Sequence, residues 1–306
     1  MIDPPLVKPV SPVLHAEALS LVFGHLLPED RAQRVEALLA GARSGEVPMD
    51  GLLAARRGGR LVGGVFSEVQ AGRAALVWPP RLASGEPGTT AERLLAATAE
   101  YLVGKGVCVA YALLEPGMED DAPRLREAGF EPVAELLYLF SLDESFPASP
   151  PASPVQFESY CPANHDRLAR VVEATYRETL DCPRLNGVRQ IDDVLAGYRA
   201  TGVFSPGRWL LVRHRGEDIG CLLLADHPEQ ENYELVYMGL VPSARGSGWG
   251  KDITRRAQWL TCQARRPRLV LAVDAANGPA IRMYSMLGFH AWDRRNVYLW
   301  VVNDAR

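Results

Sequence analysis

The sequence predicts an α/β chain built as two mixed-sheet domains in tandem, and three observations carry that reading. The chain has 306 residues, about twice the usual length of one compact domain. Its second half alternates strand-like apolar runs with segments of helical period. Hairpins come first and strand–helix–strand crossovers later, the order expected of a mixed sheet with helices on both faces. The two halves also end alike. Arg124-Leu-Arg-Glu-Ala-Gly-Phe130 precedes the apolar run Leu136–Phe140, and Arg282-Met-Tyr-Ser-Met-Leu-Gly-Phe289 precedes Val297–Val302. The Gly-Phe pairs stand 159 positions apart (288 against 129), and two prolines read as strand ends, Pro79 and Pro242, stand 163 apart. Offsets that agree over half the chain point to a tandem duplication.

The break between the halves is the run Asp-Glu-Ser-Phe-Pro-Ala-Ser-Pro-Pro-Ala-Ser-Pro between Leu142 and Val155. Its prolines remove backbone donors and fix φ, so neither helix nor central strand passes through it. The expected domains are therefore 1–144 and 155–306, joined by a Pro/Ser-rich linker at 145–154. Beyond it, Val155–Tyr160 reads as a short strand. Asn164–Thr179 reads as a helix, because Leu168, Val171, Val172 and Thr175 fall at i, i+3, i+4 and i+7. Ile191–Ala200 follows as a second helix. Strands are expected at Trp209–His214, Ile219–Ala225 and Glu234–Val241, then a helix at Gly248–Arg265. The pattern closes with a strand at Arg268–Val273, a helix at Pro279–Leu287, and strands near Ala291 and at Val297–Val302.

Composition narrows the function classes. Apolar residues make up 47% and charged residues 23% of the chain, an ordinary globular balance that excludes wholesale disorder. A net charge of −4 lacks the field of a general nucleic-acid binder. No apolar run reaches the roughly 18 residues a membrane span needs, and Met1-Ile2-Asp3-Pro4-Pro5 does not open a secretory signal. Cys108, Cys161, Cys182, Cys221 and Cys262 are scattered and show no C-x-x-C spacing. They read as reduced thiols of a cytoplasmic protein with no metal site. His214, His227 and His290 likewise lack metal spacing. Arg255, Arg256, Arg265 and Arg266 solvate a helix rather than form a nucleic-acid patch.

The most informative stretch is Val241-Pro-Ser-Ala-Arg-Gly-Ser-Gly-Trp-Gly-Lys251. It follows an apolar strand and opens a helix. Glycines at 246, 248 and 250 remove the Cβ atoms that would hold a phosphate off the backbone. Successive amides can then converge on a diphosphate at a helix N-terminus. The stretch is neither a P-loop, which needs Gly-Lys-Ser/Thr, nor a G-x-G-x-x-G turn. A glycine-rich turn without ligand is the alternative reading.

Arg245-Gly-Ser-Gly-Trp-Gly250 fits the Q/R-x-x-G-x-G/A signature of the GNAT acetyltransferase superfamily. The later Asn277-Gly-Pro-Ala280, Tyr284 and Gly288-Phe289 fit its N-x-x-A-x-x-x-Y-x-x-x-G-F element. Over residues 230–290 the chain thus resembles that superfamily. The tandem plan, with Glu234-Leu-Val-Tyr-Met-Gly-Leu-Val-Pro and Val273-Asp-Ala-Ala-Asn277, is similar to its mycothiol synthase branch. The resemblance implies two GNAT-like domains, a CoA thioester as co-substrate, and acetyl transfer to a primary amine of a small molecule. A non-catalytic acyl-CoA-binding module and a protein N-acetyltransferase are the rival readings.

By the same resemblance, backbone groups of Met238, Gly239 and Leu240 hold the pantetheine arm, with the Met238 N–H facing the thioester oxygen. Arg245 and the segment Gly246, Ser247, Gly248, Trp249, Gly250 and Lys251 take the pyrophosphate. Asn277 contacts the cofactor or caps its helix. Tyr284 protonates the departing thiolate, or packs against Phe289. Glu234 is the expected base: four residues before Met238, it lies on that residue's strand face, and since four residues span about 13 Å its proton removal is expected to run through ordered water. Its alternative is a surface carboxylate at a strand start. Asp181, in the loop Leu180–Asn186, is expected to meet a cationic acceptor or to serve as a turn residue. Cys182 beside it lacks a histidine partner and reads as ordinary burial.

The first half lacks these groups. With Gly129 on Gly288, Leu125 takes the place of Tyr284 and Met118 that of Asn277. With Pro79 on Pro242, Leu82 replaces Arg245, Ala71 replaces Glu234 and Pro87 replaces Gly250, while Gly85 matches Gly248. It reads as a degenerate copy.

Overall fold

A computed structural model describes residues 3–302, apart from the side chain of Glu119. The chain forms two compact units. One holds the residues up to Pro132 and those from Val297 on; the other is Val133–Asn296.

In the first unit, β1 (Leu6–Pro9), α1 (His15–Val22) and α2 (Pro28–Ser44) precede the antiparallel run β2 (Leu52–Arg57), β3 (Arg60–Gln70) and β4 (Ala74–Leu82). Helix α3 (Thr89–Gly104) crosses over to β5 (Val109–Leu114), which pairs in parallel with β4, and α4 (Ala122–Glu127) follows. Leu94, Leu102, Ala110 and Leu125 lie in its core together with Tyr298 and Val302. The chain's last strand therefore completes a core otherwise made from residues up to Phe130.

The second unit begins within β6 (Glu131–Leu142), whose residues from Leu136 on pair antiparallel with β11 (Arg268–Asp274). The other elements are β7 (Gln156–Ser159), α5 (His165–Thr175), α6 (Ile191–Ala200), β8 (Trp209–His214), β9 (Glu217–His227), β10 (Asn232–Leu240), α7 (Trp249–Gln263) and α8 (Gly278–Met286). The closing strand β12 (His290–Val301) passes from the second unit to the first at Asn296–Val297. Strand order from one edge is β7-β8-β9-β10-β11-β6. Alternation along these strands divides the core. Leu210, Val212, Leu222, Leu224 and Leu235 pack with Ile253, Ala257 and Leu260 of α7, while Leu211, Cys221 and Leu223 meet Leu168, Val172 and Leu195 of α5 and α6. Fully burying each such leucine is worth about 1.5–3 kcal/mol.

Some expectations shift. The helix expected to reach Thr179 stops at Thr175, where Glu178 takes a φ of 54°. The strands expected near Ala291 and at Val297–Val302 are one twelve-residue strand. The stretch from Phe146 to Val155 has neither helix nor strand, yet Phe146 packs on the core and Ser153 Oγ donates to Asp252 at 2.7 Å. The units part at residues 132 and 296 instead of at this stretch, because β6 pairs with β11 and the end of β12 joins the first core.

The duplication has a structural counterpart. Ala74 pairs with Val109 in the first unit as Asn232 pairs with Arg268 in the second. Those offsets, 158 (232 against 74) and 159 (268 against 109), agree with the Gly-Phe pairs. The proline offset does not: Pro79 lies inside β4, at its register shift against β3, whereas Pro242 lies beyond β10.

Gln258 of α7 is buried and donates to Ser141 Oγ of β6 at 2.9 Å and to the Leu287 carbonyl after α8 at 2.8 Å. Gln258→Ala would leave a buried carbonyl unsatisfied, so unfolding in denaturant should show a loss of about 1–3 kcal/mol.

Candidate active site

The site is an interruption in the sheet. Strands β10 and β11 pair only from Asn232↔Arg268 to Glu234↔Val270 and then diverge, although β10 continues to Leu240 and β11 to Asp274. Backbone groups on the open edge of β10 therefore lose their strand partner. Between the strands lies a cleft of about 1080 Å³, lined by β10, the loop after α5, the turn before α7, and α8. Of the residues singled out in the sequence, Asp181, Met238, Gly239, Leu240, Arg245, Gly246, Gly248, Gly250, Lys251, Asn277 and Tyr284 line it.

At the wide end, Gly246 and Gly248 have φ of 76° and 87°, a conformation that glycine adopts without Cβ strain. A Cβ at either would meet nothing within 4 Å, so the turn faces open space. Gly248 caps α7, and among the described residues the amides of Gly246, Ser247 and Gly248 make no backbone hydrogen bond. Free amides at the start of a fifteen-residue helix form an anion cradle. Gly250 serves packing as well: a Cβ there would sit 2.8 Å from Met283 Sδ of α8.

Arg245 acts differently from the expectation that it holds the cofactor. Its guanidinium donates to the carbonyls of Leu240 (3.1 Å), Glu178 (2.9 Å), Thr175 (2.8 Å) and Arg177 (2.7 Å). It satisfies the carbonyls left at the end of α5 and ties them to the end of β10, so its role is to brace the cleft.

Deeper in the cleft, Met238 lies on the α7 side of the sheet, with Thr254 Oγ1 at 3.7 Å from its sulfur. Tyr284 is 5% exposed, and its ring lies 5.3 Å from that of Phe289. Its hydroxyl is not among the buried polar atoms left without a partner among the described residues, in keeping with a group that opens onto the cleft it lines. Burial and the Asp181 carboxylate hold that phenol well above its ordinary pKa. Packing against Phe289 and lining the cleft thus coexist. Asn277 caps α8, its Oδ1 accepting from Ala280 N at 3.3 Å, and it also lines the cleft.

Asp181 is stitched to the end of β11. Its Oδ1 accepts the Asp274 N–H at 2.8 Å, and Asp274 Oδ2 accepts the Cys182 N–H at 3.0 Å. Burial foremost, and the charge of Asp274, raise the Asp181 pKa. The Cys182 thiol is pushed up to about 12, chiefly by burial, which keeps it protonated and unreactive.

Three expected residues do not line the cleft: Glu234, Ser247 and Trp249. Trp249 packs on His214, with ring centroids 4.9 Å apart. For Glu234 the cause is a bulge at Val236. The register against β9 shifts between Leu235 and Tyr237, and the extra residue reverses strand parity. Tyr233, Leu235, Met238 and Leu240 pack on the α7 side, whereas Tyr237 packs on the α5 side. Glu234, next to Leu235 and opposite Ala225, falls with the α5 side. The expected shared face with Met238 is thus corrected. The Glu234 carboxylate instead lies 2.9 Å from His227 Nε2, and that contact raises the imidazole pKa.

Sequence reasoning missed Thr175 and Tyr237, both lining the cleft, and Asp274 behind it. Tyr237 is stacked on Tyr198 at 5.3 Å, and its hydroxyl lies 2.7 Å from Thr175 Oγ1. A Cβ on Gly239 would come within 2.5 Å of that same Oγ1. The glycine is thus required by α5, a contact that no local sequence pattern announces.

Residues 172–289 match the Acetyltransferase (GNAT) family. The mycothiol acetyltransferase of Mycolicibacterium paratuberculosis is 29% identical over 205 residues, 62% of this chain and 62% of that protein. Such alignments cover less than two thirds of these relatives, from 20% to 62% of their length. Among solved structures, a GCN5-related N-acetyltransferase from Sphaerobacter thermophilus superposes with a TM-score of 0.65 at 14% identity, covering 100% of this chain and 98% of that one. A tandem GNAT protein from the clavulanic acid biosynthesis pathway gives 0.53 at 14% identity, covering 99% and 100%. Two α/β units, a sheet split between β10 and β11 and a glycine cradle at α7 accord with these matches: residues 172–289 match the GNAT family, and the chain resembles the mycothiol acetyltransferases.

Proposed function

We propose that the second unit transfers an acetyl group from acetyl-CoA to a primary amine of a small molecule. The observation that carries this reading is the continuity of the cleft. It begins at the free amides of Gly246–Gly248, runs along the unpaired edge of β10, and reaches the Tyr284 side chain. These features fit CoA: a diphosphate for the cradle, an amide-bearing arm for the strand edge, and a thioester beside Met238 and Tyr284.

When bound, acetyl-CoA supplies an acetyl group on a good leaving thiol. The chain's own groups do the rest. Amides of Gly246, Gly248 and Gly250 with Lys251 hold the diphosphate, and Asn277 borders it. Backbone groups of Met238, Gly239 and Leu240 hold the arm, and the Met238 N–H polarises the carbonyl oxygen. Tyr284 delivers its proton to the thiolate, and Asp181 attracts the ammonium form of the acceptor.

One acetyl-CoA is expected per chain, and Gly248→Asp, which places a carboxylate in the cradle, should weaken binding at least tenfold in calorimetry. Unchanged affinity would return the turn to an unliganded role. Tyr284→Phe removes only the phenolic proton. It should keep the acetyl-CoA affinity and lower turnover by a factor on the order of 10²–10⁴, read as free-thiol release with an amine panel. A protein that binds acetyl-CoA but acetylates no amine would be the binding module instead.

A further inference from the structure

Acetyl transfer to an alkyl amine needs a proton acceptor, since the amine is largely ammonium at neutral pH. The strand position expected to take that proton through ordered water does not face the cleft. Glu234 lies on the far side of the bulge from Met238, its carboxylate is engaged by His227, and it is not among the cleft's lining residues. We infer that Asp181 is the base: its carboxylate takes a proton from the acceptor ammonium directly in the cleft. This rests on the acetyl-transfer reading above and assigns the proton acceptor within it.

Three observations carry the assignment. Asp181 lines the cleft together with Met238 and Tyr284. Its carboxylate is held in place, with Oδ1 accepting the Asp274 N–H, while the loop behind it is fixed by the Cys182 N–H on Asp274 Oδ2 and the Asp181 N–H on Thr179 Oγ1 at 3.0 Å. Among the described residues no lysine, arginine or histidine pairs with Asp181. The cleft's own cations, Arg245, Lys251 and Arg282, form no ion pair with it among the described residues, and an oriented carboxylate left without a cationic partner is suited to an incoming one. The ionisable groups facing it are Asp274 at the end of β11, Tyr284 of α8, Tyr237 of β10 and the neighbouring Cys182. None is cationic, and the Asp181 pKa is raised, toward the range of an effective base.

The proton inventory closes. The ammonium gives one proton to Asp181, and the neutral nitrogen forms its bond to the thioester carbon. The carbon–sulfur bond breaks with its electron pair on sulfur, which Tyr284 protonates. The second nitrogen proton, lost as the amide forms, restores the phenol, and Asp181 releases its proton to solvent. Asp181 also couples the two ends of this sequence: once protonated, it no longer carries the charge that holds the Tyr284 proton.

The test uses the full chain, acetyl-CoA, and a panel of phenethylamine, glucosamine, putrescine and leucine methyl ester, with acetylated product read by mass. Asp181→Asn keeps the oxygen that accepts the Asp274 N–H, so it should fold and bind acetyl-CoA as wild type does. Its kcat/KM should fall about 10²-fold or more at pH 7, and the deficit should narrow as pH rises toward the amine's own pKa. Its Tm at pH 7 should equal or exceed that of wild type. With a native pKa above the unfolded value, protonated Asp181 contributes stability below about pH 4, and this is lost as pH rises through the native pKa. Wild-type kcat/KM and pH profile in the variant would overturn the assignment alone. So would a deficit that is constant with pH and accompanied by a lowered Tm, which is the signature of a structural role. If wild type binds acetyl-CoA yet acetylates none of the amines, the acetyl-transfer reading falls, and this one with it.

Discussion

The site depends on where one parallel ladder stops. Pairing between β10 and β11 ends at Glu234↔Val270, and every later feature is a consequence of the divergence beyond it. A continuous ladder would satisfy the backbone of β10 and leave no cleft. The open edge costs unpaired amides and carbonyls unless something polar covers them. An amide-bearing ligand arm is a natural cover, which is why a defect in the sheet can be retained as a binding surface.

Holding the strands apart requires contacts outside the sheet. Arg245 gathers four carbonyls from the end of α5, the following turn and β10, fixing that helix end against the strand. Thr175 and Tyr237 lock the same corner through their hydroxyls, and only glycine at 239 admits Thr175 there. On the opposite strand, the crossed hydrogen bonds between Asp181–Cys182 and Asp274 anchor the loop after α5 to the end of β11. The cleft is thus framed by charged and hydroxyl groups whose partners are mostly backbone, an arrangement that fixes geometry with little dependence on the ligand.

What was legible in the sequence follows from the range of the forces involved. Helices and strands of the second unit were readable because periodicity is local, and the glycine turn because a positive φ at 246 and 248 has a one-residue signature. Tyr284 and Asn277 were picked out by the resemblance of Asn277–Phe289 to a family element, and both line the cleft. The bulge at Val236 was not: it adds no unusual residue, yet it reverses the side of every residue before it, and so misplaced Glu234. Arg245 was found as a motif residue but not as a brace, since its acceptors are carbonyls of Thr175, Arg177 and Glu178, far away in sequence. The unit boundaries were also hidden, because β6 pairs with β11 over more than a hundred intervening residues.

Comparing the units shows how little of the site is owed to the fold itself. In the first unit β4 and β5 pair over Ala74–Leu76 and Val109–Tyr111 only, so the same divergence is present. There, however, the buried Asp121 carboxylate pairs with Arg81 at 2.6 Å, and Leu125 fills a core position with no exposure. At the start of α3, Gly88 has an ordinary φ of −57°. The chain's own Glu86 carboxylate bonds Thr90 Oγ1 at 2.5 Å and Arg57 at 2.6 Å, so the negative charge near that helix start is already supplied from within. One copy thus satisfies its split with internal ion pairs and apolar side chains, and the other leaves the amides free. Duplication supplies the opening, and the side chains placed around it decide whether it becomes core or active site.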